Sequence, residues 1–324
     1  MKLELGASIL ALFAGLSAPV DAQRSTTPVK AMKITVLSTM LAGNPGEGVG
    51  EWGFAALLEA DGQRWLIDTG ARAETVLRNA AELGVDLSTV TDLVITHNHA
   101  DHTGGLIALR RELSKRNSKA LSRAHVAQGI FLSRAGSDGR EANGLLPIKA
   151  QYEALGGSFI EHASPIRLAP GVWLTGPVPR IHPERNWSGS LRVQTPAGSV
   201  EDTVVEDASV VVDTPHGLVV ISGCGHAGMI NTIEYARKVV RETTIHAAVG
   251  GFHLLAATDD QLAWTAAKLR AHGLGYLLGA HCTGIEAVFR VRQAAGLGRQ
   301  TAVVGAVGSS FTLGAGLDAR ALAR

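Results

Sequence analysis

Leu93-Val94-Ile95-Thr96-His97-Asn98-His99-Ala100-Asp101-His102-Thr103-Gly104-Gly105 is the stretch on which the reading of this chain turns. The apolar, β-branched run Leu93 to Ile95 predicts a buried strand. It breaks off into three histidines and one aspartate within six residues. His97 and His99, two apart, leave a strand end on the same side and can grip one metal ion. The turn that follows throws Asp101 and His102 forward, towards a second ion. Imidazole and carboxylate donors at this density point to a binuclear centre of two divalent metal ions, with zinc the first expectation and iron or manganese also suited to the donors. Chance polar-loop histidines are a poor account, because the chain has only 12 His in 324 residues.

Composition narrows the class. The chain is 46% hydrophobic and 18% charged, a globular balance, and its 38 Gly fit many turns between short elements. The formal net charge is +1, with Lys and Arg scattered, which argues against nucleic acid or an anionic membrane surface and leaves a small-molecule substrate as partner. Near the N-terminus, Lys2 precedes the apolar run Leu5 to Val20, and Val20-Asp21-Ala22 offers small residues where a signal peptidase cuts. The run is shorter than the roughly 20 residues of a spanning helix. Residues 1–22 are therefore expected to be a signal peptide and residues 23–31 a polar linker. The mature protein is expected to be periplasmic or secreted, with no membrane attachment after cleavage. Cys224 and Cys282 each lie within two residues of a histidine assigned to the metal centre below, so free or metal-associated thiols are expected rather than a disulfide.

Outward from the histidine turn, Lys33 to Ser38 predicts a strand, and Phe54 to Ala60 with Arg64 to Asp68 a hairpin closed by Asp61-Gly62. Between them, Gly48-Val49-Gly50-Glu51-Trp52-Gly53 has the form G-x-G-x-x-G. A strand rather than a helix follows it, so a flexible loop beside the active site replaces the dinucleotide reading. Helices are predicted over 73–83, 106–116, 148–155, 229–242, 261–272 and 285–295, and further strands over 123–127, 172–175, 208–213, 218–222, 245–249, 274–278 and 301–304. Residues 177–205 read as a long functional loop and 315–324 as a surface helix or frayed tail. This order predicts an α/β chain in which one domain, residues 32–314, is an αββα sandwich of two mixed sheets with helices outside.

More donors come from the second half. Gly223-Cys224-Gly225-His226 follows a predicted buried strand. His226 is the expected third ligand of the first metal, and the Cys224 thiolate is a candidate to bridge or cap the pair. His281 ends another strand and is expected beside Asp101 and His102. Asp68 is expected to accept the free ring N–H of a ligand histidine. His253, also at a strand end, reads as substrate-facing or as a proton shuttle. Trp52, Arg180 and Arg185 are candidates for holding substrate, the arginines through an anionic group.

The His-x-His-x-Asp-His stretch matches the signature of the metallo-β-lactamase superfamily, and the chain resembles that superfamily over almost all of its mature length. Within it, the chain is most similar to the metal-dependent hydrolases of β-lactamase superfamily II, a group that includes the 7,8-dihydropterin-6-methyl-4-(β-D-ribofuranosyl)-aminobenzene-5'-phosphate synthase-like proteins. The resemblance is carried by Glu51 to Phe54, Asp68-Thr69-Gly70, His97 to Gly105, Gly176 to Arg180, Gly223 to Gly228, Gly250 to Leu254 and His281 to Gly284. It implies the metallo-β-lactamase fold, agreeing with the element pattern. Two departures stand out. Glu206-Asp207-Ala208-Ser209 lies where a Pro-Gly-His segment is usual, and Cys224 stands where a bridging Asp is usual. The expected activity is that of a metallo-hydrolase activating water against a small, anionic substrate. A metal-dependent transferase and a non-catalytic metal-binding protein are the alternatives.

Overall fold

The apolar run of the opening stretch becomes the strand Asp92–Ile95, buried at every residue. It lies between Gln63–Ile67 and Arg123–Ala127, parallel to both. A parallel strand in mid-sheet is covered on both faces, which is why its apolar pattern is continuous rather than alternating. The computed structural model describes residues 27–136, 138–187 and 191–323. The signal peptide expected over 1–22 lies outside them. No helix among the described residues is long and apolar enough to cross a membrane.

An eight-stranded sheet runs in the order Gly316–Asp318, Ser310–Thr312, Met32–Ser38, Ala55–Ala60, Gln63–Ile67, Asp92–Ile95, Arg123–Ala127, Ser158–His162. A seven-stranded sheet runs Ala302–Val304, Tyr276–Gly279, Ile245–Gly250, Gly217–Ser222, Ser209–Thr214, Val172–Leu174, Ile166–Ala169. Each is antiparallel on one side and parallel on the other. Inward side chains of both, among them Ile34, Ile67, Val94, Val210, Val219 and Val249, form the shared core. Helices Thr75–Glu82, Leu106–Leu113 and Leu145–Ala154 cover the outer face of the first sheet. Helices Met229–Val239, Asp259–Ala271 and Ile285–Ala295 cover that of the second. The αββα sandwich of two mixed sheets is the observed architecture.

Three expected boundaries are corrected. The segment 177–205 is not all loop: Arg192–Thr195 and Gly198–Glu201 pair as a hairpin and, with Arg134–Ala135, make a small third sheet. Only Val193 of that hairpin is buried, so it lacks the apolar alternation that marks a strand in sequence. Residues 315–324 are not merely a tail, because Gly316–Asp318 extends the first sheet by pairing with Ser310–Thr312. The supposed linker 23–31 is docked in its last residues. Val29 is buried, its N–H donates to Asp213 O at 2.8 Å, and the Lys30 and Ala31 amides donate to the Asp61 carboxylate. The packed body therefore extends past 32–314 at both ends.

The parallel halves decide where chemistry can sit. Pairings such as Ile67 with Val94, and Ser222 with Gly250 and Gly250 with Gly279, bring the carboxyl ends of five strands to one rim. Loops leaving those ends converge, as they do wherever parallel strands finish together.

Candidate metal centre

Asp68 and the Thr96-His97 pair follow strand ends of the first sheet, and Cys224, His253 and His281 follow strand ends of the second. After His99 a single helical turn, Ala100–Thr103, swings Asp101 and His102 inward. Side chains from both halves of the chain meet in three groups whose donor atoms lie within 4.8 Å of one another. His97, His99 and His226 form one, Asp101, His102, Cys224 and His281 the second, and Cys224, His253 and Cys282 a third that shares its sulfur with the second. In the first group the ring centroids are 4.6 to 4.8 Å apart.

The donors fit a pair of cations. The buried Nε2 atoms of His97, His226 and His281 have no hydrogen-bond partner. An unmet buried polar group costs about 1–3 kcal/mol and is rare in native interiors. Three such atoms aimed into two donor groups are what bound cations would satisfy. Ligands held at roughly 2.0–2.3 Å around a tetrahedral ion lie roughly 3.3–3.8 Å apart, so the donors would have to spread by only a few tenths of an ångström. In the second group, His102 Nε2 is 3.1 Å from Cys224 Sγ and 3.7 Å from Asp101 Oδ2, and His281 Nε2 is 3.1 Å from Asp101 Oδ2.

The opposite ring nitrogens of His97, His102 and His226 are fixed by protein acceptors, whereas His281 Nδ1 has none. His102 Nδ1 meets Asp68 Oδ2 at 2.7 Å, His97 Nδ1 meets Thr96 Oγ1 at 3.0 Å, and His226 Nδ1 donates to the Asn186 carbonyl. Asp68 also accepts from the Thr96 amide and hydroxyl, each at 2.8 Å. This leaves Nε2 of His102 free to face the second group, the arrangement that orients ligand histidines generally. Burial pushes His97 and His226 well below the ordinary imidazole value and His99 down to about 4, so all three are neutral lone-pair donors near pH 7. Burial also disfavours charge on His102, but the Asp68 carboxylate outweighs it and raises that ring. Asp101 is pushed up by burial and pulled further down by His281 and His102, ending below the usual carboxylate range.

Among the described residues, three of the seven non-glycine residues with positive φ lie here: Asp68 at 56°, His253 at 48° and His281 at 45°. Left-handed backbone at such residues is disfavoured by about 1–3 kcal/mol each and persists where the surroundings impose it. Gly223 shows how tight those surroundings are. A Cβ there would lie 2.2 Å from Thr96 Oγ1 and 2.4 Å from Asp68 Oδ2. Gly223→Ala is therefore expected to lower stability by about 1–3 kcal/mol. By displacing Asp68 it should also weaken metal affinity by about 10–100-fold. Urea unfolding and a competitive metal titration check the two effects separately; unchanged affinity would show that Asp68 is not crowded by this loop.

A cavity of about 1030 Å³ opens over the donors. Trp52, Arg185 and His253 line it, as do Trp187 from the long loop and Trp264, the latter not singled out by sequence reasoning. The Trp52 ring sits 4.7 Å from that of His281. Arg185 pairs with Glu201 at 2.5 Å on an exposed rim. Arg180 does not reach the cavity, a correction to its expected substrate role. It is largely buried, so its guanidinium turns to the Thr203 and Val204 carbonyls and stacks 5.6 Å from the Trp187 ring. His253 packs 4.6 Å from His226. Burial disfavours its charged form, but contact with Cys282 outweighs that and raises it. His182, in the segment 177–205, pairs with Glu234 at 2.8 Å.

Glu206 and Asp207, read from sequence only as a departure, brace the site from behind. Glu206 accepts from the Asn98 amide at 3.2 Å, between His97 and His99, and pairs with buried Arg134. Asp207 accepts from the Ala227 amide at 2.9 Å, next to His226. Burial pushes Glu206 up to about 7, against the pull of Arg134, and Asp207 up to about 6, against that of the Ala227 amide.

The chain is similar to known proteins. The family profile described as anti-Pycsar protein Apyc1 matches residues 40–125, which span the Gly-rich loop and the histidine turn. The chain is 27% identical over 268 residues to the 7,8-dihydropterin-6-methyl-4-(β-D-ribofuranosyl)-aminobenzene-5'-phosphate synthase of Methanocaldococcus jannaschii, covering 79% of this chain and 89% of that protein. It is 26% identical over 247 residues to an uncharacterized protein of the same organism, covering 74% and 87% respectively. A solved metal-dependent hydrolase of the β-lactamase superfamily superposes with a TM-score of 0.65 at 27% identity, over 81% of this chain and 93% of that one. The metallo-β-lactamase fold protein YhfI from Bacillus subtilis, at 13% identity and a TM-score of 0.53, matches 87% of this chain and 100% of its own and is alike in fold. The fold of this chain is the metallo-β-lactamase fold, and its relatives in sequence and structure are proteins of the metallo-β-lactamase superfamily.

Proposed function

We propose that this protein is a metal-dependent hydrolase that holds two divalent ions, zinc by its donor set, and acts on a small substrate with an anionic group. The observation that supports this most is the meeting of two donor groups that contain the partnerless buried Nε2 atoms of His97, His226 and His281. Likeness to a solved metal-dependent hydrolase at 27% identity supports it further. Two ions at such a site supply a Lewis acid and a water whose pKa falls towards about 7.

The chain's own residues do the remainder. His97, His99 and His226 hold one ion, and Asp101, His102, His281 and Cys224 the other. Asp68 keeps His102 in the tautomer that offers Nε2. Asp101, the one partly exposed member of its group, orients the attacking water by accepting its hydrogen bond. Arg185 on the cavity rim draws in the anionic group, and His253 hands a proton to the leaving group. Purification without chelators, elemental analysis and a panel of phosphodiester, ester, lactone and β-lactam probes test the reading. About two ions per chain and turnover abolished by chelation are expected; metal-free protein, or turnover indifferent to chelation, would sink it.

A transferase is the second reading, favoured by the relative named as a synthase, whose similarity spans 79% of this chain. Product analysis with and without an acceptor separates the two. Export belongs to the same reading and is supported by the apolar run Leu5 to Val20 ahead of Ala22. N-terminal sequencing of protein recovered from a bacterial host should begin at Gln23; a retained Met1 or Lys2 would refute cleavage.

A further inference from the structure

Cys282 has no part in the two donor groups of the proposed centre, yet it is fully buried against them. Its Sγ lies 3.2 Å from Cys224 Sγ and 3.6 Å from the Cys224 carbonyl. Both cysteines are free thiols. Two thiolates bound to one zinc at about 2.3 Å would stand roughly 3.8 Å apart. The observed spacing is shorter than that, although Cys224, Cys282 and His253 also have donor atoms within 4.8 Å of one another. It is close enough for a disulfide of about 2.05 Å to form by side-chain rotation. Meanwhile Cys224 Sγ also stands 3.1 Å from His102 Nε2, within the second donor group. One sulfur is thus shared between two incompatible uses, and both cysteines, although buried, border the cavity from which a reagent would have to approach.

We propose that Cys224 and Cys282 are a redox modification site, and that their oxidation by a small-molecule disulfide withdraws Cys224 from the second metal position. The inference rests on the reading of Cys224 as a metal ligand. One cysteine sulfur attacks the small disulfide, forming a mixed disulfide and releasing one small thiol. The other cysteine attacks the protein sulfur of that mixed bond, closing Cys224–Cys282 and releasing the second small thiol. Of the two protons that leave on the small thiols, one comes from the Cys282 thiol and the other from water, since metal-bound Cys224 is already a thiolate, so one disulfide is reduced as one is formed. A disulfide sulfur carries no thiolate charge and is a poor donor, so the second position keeps only Asp101, His102 and His281.

Zinc-loaded full-length protein, treated with oxidised or reduced glutathione and desalted, provides the test. Three quantities are read: free thiols in denaturant, intact mass, and zinc per chain. Oxidation is expected to remove both thiols without a glutathione adduct and to take zinc from about two per chain to about one, with reductant and zinc restoring the second ion. Cys282→Ser is expected to keep its zinc under the same treatment, and reversal in the wild type serves as the control should that variant not fold. A wild-type disulfide with zinc undiminished, or a glutathione adduct in place of the internal disulfide, would overturn the proposal. Failure of the metal reading shows separately, as absence of zinc from the reduced arm. In that event disulfide closure in the zinc-free protein still decides the pairing.

Discussion

Alanine at position 101 is expected to reduce turnover of whichever probe the wild type hydrolyses by about 10³-fold or more, the scale on which metal-assisted water activation operates. It should also remove about one metal equivalent per chain. Asp101 is the only carboxylate in its donor group, and its Oδ2 stands 3.1 Å from His281 Nε2 and 3.7 Å from His102 Nε2. Removing it leaves two imidazoles and a thiol, and takes away the acceptor that would orient the water. Because the side chain lies partly open to the cavity on a one-turn helix, the change should leave global stability almost intact. Asp101→Asn keeps the shape and separates charge from packing. Steady-state rates beside elemental analysis provide the check. Full activity in the alanine variant would remove Asp101 from the mechanism and favour a binding role for the centre.

Arg134→Met is expected to destabilise the fold by about 3–5 kcal/mol, the usual result of taking one partner from a buried ion cluster. Arg134, Asp202 and Glu206 are all essentially inaccessible, and the guanidinium reaches Asp202 at 2.7 Å and Glu206 at 2.5 Å. Without it, two carboxylates are left facing each other out of water. Glu206 would then no longer be held against the Asn98 amide, so the His97–His99 turn should loosen and metal affinity there fall by about 10–100-fold. The triple change Arg134→Met, Asp202→Asn, Glu206→Gln should recover part of the stability, since no unpaired charge remains, but not the metal affinity. Urea unfolding and metal titration measure both; a loss under about 1 kcal/mol for Arg134→Met would mean that water reaches the cluster.

Much of the architecture was legible in the chain. The strands at 92–95, 123–127 and 217–222 and the helix at 285–295 are each long or apolar enough to carry their own period. The hairpin at 192–201 and the edge strand Gly316–Asp318 were not, because short exposed strands exist only through their partners. The metal candidates were visible as well, since histidine, aspartate and cysteine at strand ends are local features. Arg180 was misjudged for the opposite reason. Its type suggested a substrate anion, whereas one guanidinium nitrogen donates to two nearby carbonyls and the side chain does not line the cavity.

The sequence by itself determined the class of fold and the supply of donors: buried strands that stop in His97, His99, Asp101 and His102, and glycine turns that carry Cys224 and His226. Tertiary structure alone decided how those donors are grouped, which ring nitrogen each histidine presents, and what braces them. Arg134 meets Glu206 across 72 residues, and Cys224 meets Cys282 across 58. No local pattern encodes either meeting. Periodicity is a property of a segment, whereas an ion pair, a shared sulfur or a cavity wall depends on which strand ends the two packed sheets bring to the same rim.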